Sequence, residues 1–264
     1  MRDTLPDPLV FQTNAAKHKP ENIRQPLNAC PFCAPAQLTN VLLQQTDMIW
    51  LVNKFRTLQN TLQTLIIEST DHQGDISNYT VAYNRQLFAF AFQCWQQLQA
   101  DPRYQSVVMY KNYGPLSGGS LRHPHLQIVG FEQIDGYADI SLAHFQGLPV
   151  SETDALTVTI STKPVMGFVE INVHLKQATA LTALADTVQA IITYVLQRHY
   201  HGQCDSYNLF FYQLNGDVYC KVLPRFVVSP YFVGYHLAQV NDHEQLMAVQ
   251  HGLRTIFAER GLCQ

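Results

Sequence analysis

Phe-Val-Glu-Ile-Asn-Val-His-Leu, at residues 168–175, alternates apolar and polar side chains. Successive side chains of a β-strand point to opposite faces, so this alternation predicts a strand with one face in a core. A strand-like run precedes it at 156–160, and a stretch with apolar residues at helical spacing follows at about 180–199. Two further strand-like runs lie at 207–213 and 217–223. The second half therefore predicts the order strand, strand, helix, strand, strand.

The first half has the same order of elements. Strand-like runs lie at 48–52 and 63–68, a helical stretch extends from about 78 to 99, and two more runs lie at 106–111 and 124–131. An order that recurs about 110 residues later predicts an internal duplication. The sequence thus predicts an α+β fold of two similar units, each an antiparallel sheet with a helix packed on one face.

The boundary between the two units is predicted in a polar segment. Residues 132–155 are rich in turn-forming residues and are interpreted as the junction. The expected domains are 1–150 and 151–264. A further amphipathic helix is predicted at 241–260.

Reactive side chains are concentrated in Ser-Leu-Arg-His-Pro-His-Leu-Gln, at residues 120–127. On a strand, His123, His125 and Gln127 would form a row on one face. His-x-His pairs also occur on exposed edge strands, but here a Gly- and Pro-rich segment precedes the pair at 111–120. Such a segment brings backbone N–H groups close to a bound anion. The stretch therefore predicts a phosphate-sized pocket beside two imidazoles.

A pair of thiols, Cys30 and Cys33, is spaced as in metal knuckles and in thioredoxin-like redox sites. The pair follows an irregular, Pro-containing arm at 19–27 rather than a strand, which favours a metal. Structural zinc is four-coordinate, so two more ligands must come from elsewhere. His72, in a loop after a strand, and His123 are the candidates.

Composition restricts the class of protein. The 264 residues are 47% hydrophobic with a formal net charge of −3, as expected for a globular protein without a basic field for polymeric DNA or RNA. Residues 1–8 lack the apolar run of a signal peptide, and no apolar run approaches a membrane span. We therefore expect no membrane association and a cytoplasmic location, with Cys263 as an exposed terminal thiol.

An ordered series of motifs runs along nearly the whole chain. It comprises Cys-Pro-Phe-Cys (30–33), Val-Asn-Lys-Phe (52–55), Asp-His (71–72), Asn112, Gly114, Ser120, His-Pro-His-x-Gln (123–127), Pro224 and Phe-Val-Gly-Tyr (232–235). This series resembles the galactose-1-phosphate uridylyltransferase branch of the histidine-triad superfamily, which also includes ADP-glucose and diadenosine-tetraphosphate phosphorylases. The resemblance implies two histidine-triad-like units, the first catalytic and the second degenerate.

The resemblance also implies roles for individual residues. Its zinc ligands would be Cys30, Cys33, His72 and His123, in one structural site per chain. The catalytic residues would be His125, the nucleophile that attacks the α-phosphorus, with Ser120 and Gln127 as donors to the phosphate oxygens. The nucleotide would further contact Asn53 and Phe55 along base and ribose, and Asn112 and Gly114 at the phosphate loop.

The implied activity is nucleotidyl transfer from a nucleotide-sugar or dinucleotide to a phosphorylated acceptor, through a covalent nucleotidyl-histidine. Neutral imidazole suits this chemistry because it attacks without losing a proton. Histidine-triad hydrolases carry a third histidine near Gln127, so glutamine favours transfer over hydrolysis. The alternatives are a phosphorylase or hydrolase of ADP-sugars or dinucleoside polyphosphates, and a nucleotide-binding protein without catalysis.

The second half departs from the family pattern. Tyr219 and Lys221 stand where the uridylyltransferase has a second His-x-His, so its other metal is expected to be absent and Lys221 to be an exposed lysine. His236 stands where the family usually has a glutamate that contacts the hexose. A homodimer is plausible because family members often pair.

Overall fold

The structure, a computed structural model, describes residues 8–262. The expectations for residues 1–7 and for Cys263 concern parts of the chain outside this range.

Strands β1 to β5 and the long helix α2 make up the first half. The bounds, after the short helix α1 Thr13–Ala16, are β1 Val41–Gln45, β2 Met48–Val52, β3 Thr61–Ile67, α2 Val81–Gln99, β4 Ser106–Tyr113 and β5 His125–Phe131. Helix α2 begins where Thr80 accepts a hydrogen bond from the backbone N–H of Tyr83 through its hydroxyl, which satisfies a donor that the first turn leaves free.

The second half repeats this order and ends in a long C-terminal helix. Its elements are β6 Gly147–Glu152, β7 Leu156–Ser161, β8 Gly167–Phe168, β9 Ile171–Leu175, α3 Leu181–Gln197, β10 Tyr207–Leu214, β11 Asp217–Pro224, α4 Pro230–Tyr235, β12 Gln239–Val240 and α5 His243–Glu259.

One sheet of ten strands connects the two halves within the described residues, in the order β1-β2-β3-β5-β4-β10-β11-β9-β7-β6. All of its neighbours are antiparallel, and the halves meet where β4 pairs with β10. Counted inward from the two edges, the strands of the two halves occupy equivalent positions, so β2, β3 and β5 correspond to β7, β9 and β11. This arrangement confirms the predicted duplicated α+β fold.

The main core lies on one face of the sheet, beneath the helices. Helices α2 and α3 pack against each other and against the sheet, and α5 packs on α3 and β6. Trp95 of α2 and Phe211 of β10 are both buried there, with ring centroids 6.2 Å apart. Because both units place their helices on this face, the opposite face remains for sites.

Three details differ from the sequence expectations. The run 168–175 is interrupted, because Phe168 has a positive φ of 61° and pairs with β12 in a separate two-stranded sheet, so β9 starts only at Ile171. The segment 132–155 contains strand β6 at the sheet edge, where few apolar residues are needed. The other edge strand, β1, is largely exposed and lacks the apolar pattern that predicts strands.

Helix α3 is apolar on nearly all sides. By length and composition alone, Ala178–Gln197 could cross a membrane, although 61% of its apolar window is buried within the protein. Its buried side chains pack between α2, α5 and the sheet, as expected for the central helix of a folded domain.

Candidate functional site

The open face of the first unit is covered by residues 19–39, called the arm from here on, which carry Cys-Pro-Phe-Cys. Phe32 and Leu38 of this arm pack on an apolar patch of β2 and β3 formed by Ile49, Leu51, Leu65 and Ile67. The Phe32 ring meets the imidazole rings of His123 and His125 edge-on, at centroid distances of 5.8 and 5.5 Å. The arm therefore brings the two thiols close to His123, just before β5 begins.

The four predicted metal ligands come together. One ligand atom from each of Cys30, Cys33, His72 and His123 lies within 4.8 Å of the other three. The Cys33 Sγ atom is 3.2 Å from Nδ1 of His72 and 3.4 Å from Nδ1 of His123. Tetrahedral zinc with ordinary bond lengths places sulfur and nitrogen ligands about 3.6 Å apart. The cluster can hold a metal ion, and its donor set suits zinc.

The orientation of His123 is fixed by its second nitrogen. Its Nε2 lies 2.8 Å from the carbonyl oxygen of Ser69, which can only accept, so Nε2 carries the hydrogen and donates it. The lone pair of Nδ1 is then directed at the cluster. Such a second contact sets the tautomer of a metal-binding histidine.

The neighbouring His125 is held by a similar contact. Its Nδ1 lies 2.9 Å from the carbonyl oxygen of His123, so Nδ1 donates its hydrogen and Nε2 keeps a lone pair. The residue is 8% exposed. Burial lowers the pKa of His125 to about 4, helped by the positive charge of Lys111. At neutral pH this imidazole is therefore uncharged and able to act as a nucleophile.

A cavity of about 650 Å³ opens in front of His125. It is lined by parts of the arm, by strands β2, β3 and β5, and by the predicted residues Asn53, Phe55, Ser120 and Gln127. None of its lining residues is acidic, and two, Lys19 and Lys54, are lysines. Partial burial lowers the pKa of the Lys19 ammonium. The cavity is large enough for a nucleotide-sized ligand and favours an anion.

Two of the lining side chains are fixed by short contacts. The side-chain oxygen of Asn53 accepts the backbone N–H of Phe55 at 2.9 Å, which shapes the turn after β2. The Oε1 atom of Gln127 accepts the hydroxyl of Tyr110 at 3.0 Å. The amide Nε2 of Gln127 is therefore free to donate into the cavity.

Asn112 and Gly114 do not line this cavity but hold the loop that precedes it. The Asn112 side-chain oxygen accepts from Nδ2 of Asn208, which also donates to the carbonyl of Ser117 at 3.0 Å. Gly114 has a φ of 84°, and a Cβ atom there would lie 2.3 Å from the carbonyl oxygen of Asp205. Both positions connect the loop to the second unit.

A buried charge cluster, which the sequence reasoning missed, lies under the site. The ammonium of Lys111 forms an ion pair with Glu68 and lies 3.6 Å from a carboxylate oxygen of Asp75, to which Tyr207 also donates. Lys111 has the same strand phase as the apolar Val107 and Met109, a signal that could have placed it on the core face. The cluster anchors both ends of the segment that carries His72.

The second unit has no equivalent row of histidines. Tyr219 lies on β11, the counterpart of β5. Lys221 is fully buried and its ammonium is 2.7 Å from a carboxylate oxygen of Glu170, so the expectation of an exposed lysine is wrong. The pairing was not visible in the sequence because Glu170 lies 51 residues away, just before β9.

Two family models match the chain. The N-terminal domain of DUF4931, a domain of unknown function, matches residues 11–134, and the C-terminal domain of the same family matches residues 138–257. A search of curated protein sequences finds no match.

Solved structures agree with this assignment. The crystal structure of a DUF4931 family protein from Bacillus cereus is 39% identical, with 82% of this chain and 99% of that chain covered and a TM-score of 0.75. A uridylyltransferase is 14% identical over 88% of this chain and 93% of its own, with a TM-score of 0.70. ADP-glucose phosphorylase from Arabidopsis thaliana, with bound ADP-glucose, is 13% identical over 92% and 93%, with a TM-score of 0.68.

The likeness to uridylyltransferase confirms the predicted resemblance at the level of the fold. The family matches and the Bacillus structure extend over both units. The chain therefore belongs to the DUF4931 family and has the duplicated fold of the uridylyltransferases.

Proposed function

We propose that this protein is a nucleotidyltransferase that forms a covalent nucleotidyl-histidine on His125. The observation that carries the proposal is the hydrogen bond from Nδ1 of His125 to the carbonyl of His123, which leaves Nε2 as an uncharged nucleophile in an anion-favouring cavity. The likeness of the fold to uridylyltransferase and ADP-glucose phosphorylase supports a nucleotide-handling enzyme.

In the first step, Nε2 of His125 attacks the α-phosphorus of a nucleotide-sugar. An N–P bond forms and the bond to the bridging oxygen breaks, so the sugar leaves as its 1-phosphate. No proton need be removed from the nucleophile, because the hydrogen of the imidazole stays on Nδ1. The resulting positive ring is stabilised by its hydrogen bond to the carbonyl of His123.

In the second step, a phosphate oxygen of the acceptor attacks the same phosphorus and the N–P bond breaks. Donors from Gln127 and Ser120 would stabilise negative charge on the non-bridging oxygens during both steps. Lys19, which the sequence analysis did not single out, lines the same cavity, where its ammonium would attract the leaving phosphate. Asn53 and Phe55 would contact the nucleoside.

The metal, which we propose to be zinc, would be held by Cys30, Cys33, His72 and His123. Two thiols and two imidazoles form the closed tetrahedral set of a structural site, so its contribution would be to fix His123. The backbone carbonyl of His123 is also the acceptor that orients His125, so the metal site and the nucleophile share one residue.

The covalent step is testable by intact mass under non-acidic conditions. The protein is incubated with UDP-glucose, ADP-glucose or a dinucleoside polyphosphate, and we expect a nucleotidyl adduct that is absent from His125→Ala. His251→Ala, which removes an exposed histidine of α5, is the matched control and should keep the adduct. Absence of adduct and turnover with every nucleotide would refute the proposal.

The acceptor distinguishes transfer from phosphorolysis. ADP-glucose phosphorylase has this fold, so inorganic phosphate is an acceptor to compare with sugar phosphates. Release of a nucleoside diphosphate that depends on inorganic phosphate would identify a phosphorylase, whereas exchange of the sugar phosphate would identify a hexose-1-phosphate nucleotidyltransferase. Binding without turnover, unchanged in His125→Asn, would instead favour a non-catalytic binding protein.

A further inference from the structure

The open face of the second unit also carries a cavity, of about 340 Å³. Its floor is formed by residues of β7, β9 and β11, the counterparts of the three strands that line the nucleotide cavity. Leu142–Phe145, a short 3-10 helix, covers it as the arm covers the first cavity. The two cavities share no lining residue. Internal symmetry therefore places two pockets on one face of the sheet.

The second cavity has aromatic walls. The rings of Phe145 and Tyr219 are 4.6 Å apart, and the imidazole of His174 stacks on Tyr219 at 4.3 Å with an interplanar angle of 11°. Nε2 of His174 donates to the carboxylate of Asp217 at 3.0 Å, which leaves Nδ1 for a ligand. The Phe145 and Tyr219 rings are buried against each other and form the wall, while the half-buried imidazole of His174 borders the cavity. A concave site with apolar walls and a few polar groups suits a small ring-shaped ligand.

Unused donors point to a hydroxyl-bearing ligand. Asn172 is 2% exposed; its oxygen accepts from Lys221 and one amide hydrogen is donated to Thr159, at 2.7 and 3.1 Å. The other amide hydrogen, and the hydroxyl of Thr157, have no partner among the described residues. The Asn172 amide is buried and the Thr157 hydroxyl is half-buried, so both can donate to a hydroxyl group of a ligand in the cavity.

The two cavities differ in the charge of their lining residues. Among the residues that line the second cavity, the basic one is His174, whose Nε2 is paired with the Asp217 carboxylate at 3.0 Å, and the ammonium of Lys221 beside it is paired with Glu170 at 2.7 Å. A phosphate would therefore find no free cation here. We infer that the second unit holds a non-catalytic site for an uncharged, hydroxyl-bearing sugar ring, in a free hexose or in a nucleoside without phosphate.

The inference is tested by saturation-transfer NMR with uridine, adenosine, glucose and galactose. Thr157→Val removes one hydroxyl and should weaken binding about threefold to tenfold. Thr157→Phe fills the cavity and should abolish binding. Phe55→Ala, the matched change in the first cavity, should leave the binding of glucose and galactose unaltered, and any nucleoside signal that it removes comes from the first cavity. Melting curves of all three variants check that each is folded.

Two results overturn the inference. One is the absence of saturable binding for all four probes up to about 10 mM. The other is binding that is lost in Phe55→Ala and unchanged in both Thr157 variants, because it would then belong to the first cavity. Comparing nucleosides with hexoses identifies the source of the ring. The covalent adduct on His125 is measured separately, so this inference can fail while the proposed function stands.

Discussion

The hydroxyl of Tyr110 lies 3.0 Å from Oε1 of Gln127, directly across the β4–β5 pair. Because the hydroxyl donates to Oε1, the amide group of Gln127 is held with its Nε2 hydrogens toward the cavity. The Tyr110 ring also lies 6.2 Å from that of Phe210, which fixes its own position. A residue outside the cavity thus determines which end of the Gln127 amide faces the cavity.

Tyr110→Phe should therefore slow nucleotidyl transfer while keeping the packing. Without the hydroxyl the amide can rotate, and we expect kcat to fall about tenfold, with a smaller change in KM. Single-turnover formation of the adduct on His125 measures the effect. Tyr104→Phe, at a tyrosine outside the site, is the control, and an unchanged rate in Tyr110→Phe would contradict the assigned orientation.

Lys111→Met should strongly destabilise the protein. It would leave Glu68, which is 0% exposed, without its cation, and breaking a buried pair in this way costs about 3–5 kcal/mol. Denaturant unfolding measures the loss. Arg85→Met breaks the solvent-exposed pair with Asp186 and should change the free energy of unfolding far less. Equal effects of the two changes would mean that Lys111 is not held as a buried ion pair.

Removal of the metal should loosen the arm more than the rest of the fold. Phe32 and Leu38 cover the apolar patch on β2 and β3, and the two thiols of the arm belong to the cluster that would hold the proposed metal. After chelation we expect faster hydrogen exchange in residues 28–39 and a fall of the melting temperature by about 5 °C or more. Exchange in residues 156–175, in the second unit, should not change.

Cys30→Ser tests the same site by its metal content. Removal of one ligand from a four-coordinate set should reduce the bound metal to well under one equivalent. Elemental analysis of the purified protein is the measurement. His251→Ala, at an exposed histidine outside the cluster, should retain the metal. Equal metal content in the wild-type protein and Cys30→Ser would show that the ion is bound elsewhere.

The sequence predicts those parts of the site that depend on local spacing. Alternation along β5 places His125 and Gln127 on one face, and the Cys-x-x-Cys spacing forms one turn. Contacts between distant segments had no such signal. Tyr110 reaches Gln127 only through the pairing of β4 with β5, and Lys19 reaches the cavity only through the path of the arm. Exposure was expected for Lys221 because lysines are rarely buried without a partner. Its carboxylate partner, Glu170, lies on a distant segment of the chain, so the pair was not visible in the sequence.

Acid should destabilise the protein partly through His199. This residue is 6% exposed among the rings of Tyr194, Tyr200 and Phe226. Burial lowers its pKa from 6.5 to about 4. The unfolded chain therefore binds the proton more tightly, and the contribution to stability is complete above pH 6.5 and is lost as the pH falls toward 4.

The expected loss through His199 is about 2 kcal/mol between roughly pH 7.5 and pH 5. His125 has a similarly lowered pKa and adds to the total, so the effect is measured as a difference. His199→Phe keeps an aromatic ring but does not titrate. Its free energy of unfolding should fall less with acidification than that of the wild-type protein, and parallel curves would contradict the burial of an uncharged imidazole at this position.

Gly114 and Gly118 provide a matched test of the loop before Ser120. Both have left-handed backbones, with φ of 84° and 85°, so alanine at either position costs about 1 kcal/mol in backbone strain. A Cβ atom at Gly118 meets nothing within 4 Å, whereas one at Gly114 would lie 2.3 Å from the carbonyl oxygen of Asp205. Gly114→Ala must therefore also displace the loop from the second unit, at a further cost of about 1–3 kcal/mol.

We expect Gly118→Ala to keep most of the transfer activity and Gly114→Ala to lose both stability and activity, since Ser120 moves with the loop. Equal unfolding free energies for the two variants would show that this contact between the units does not hold the loop in place.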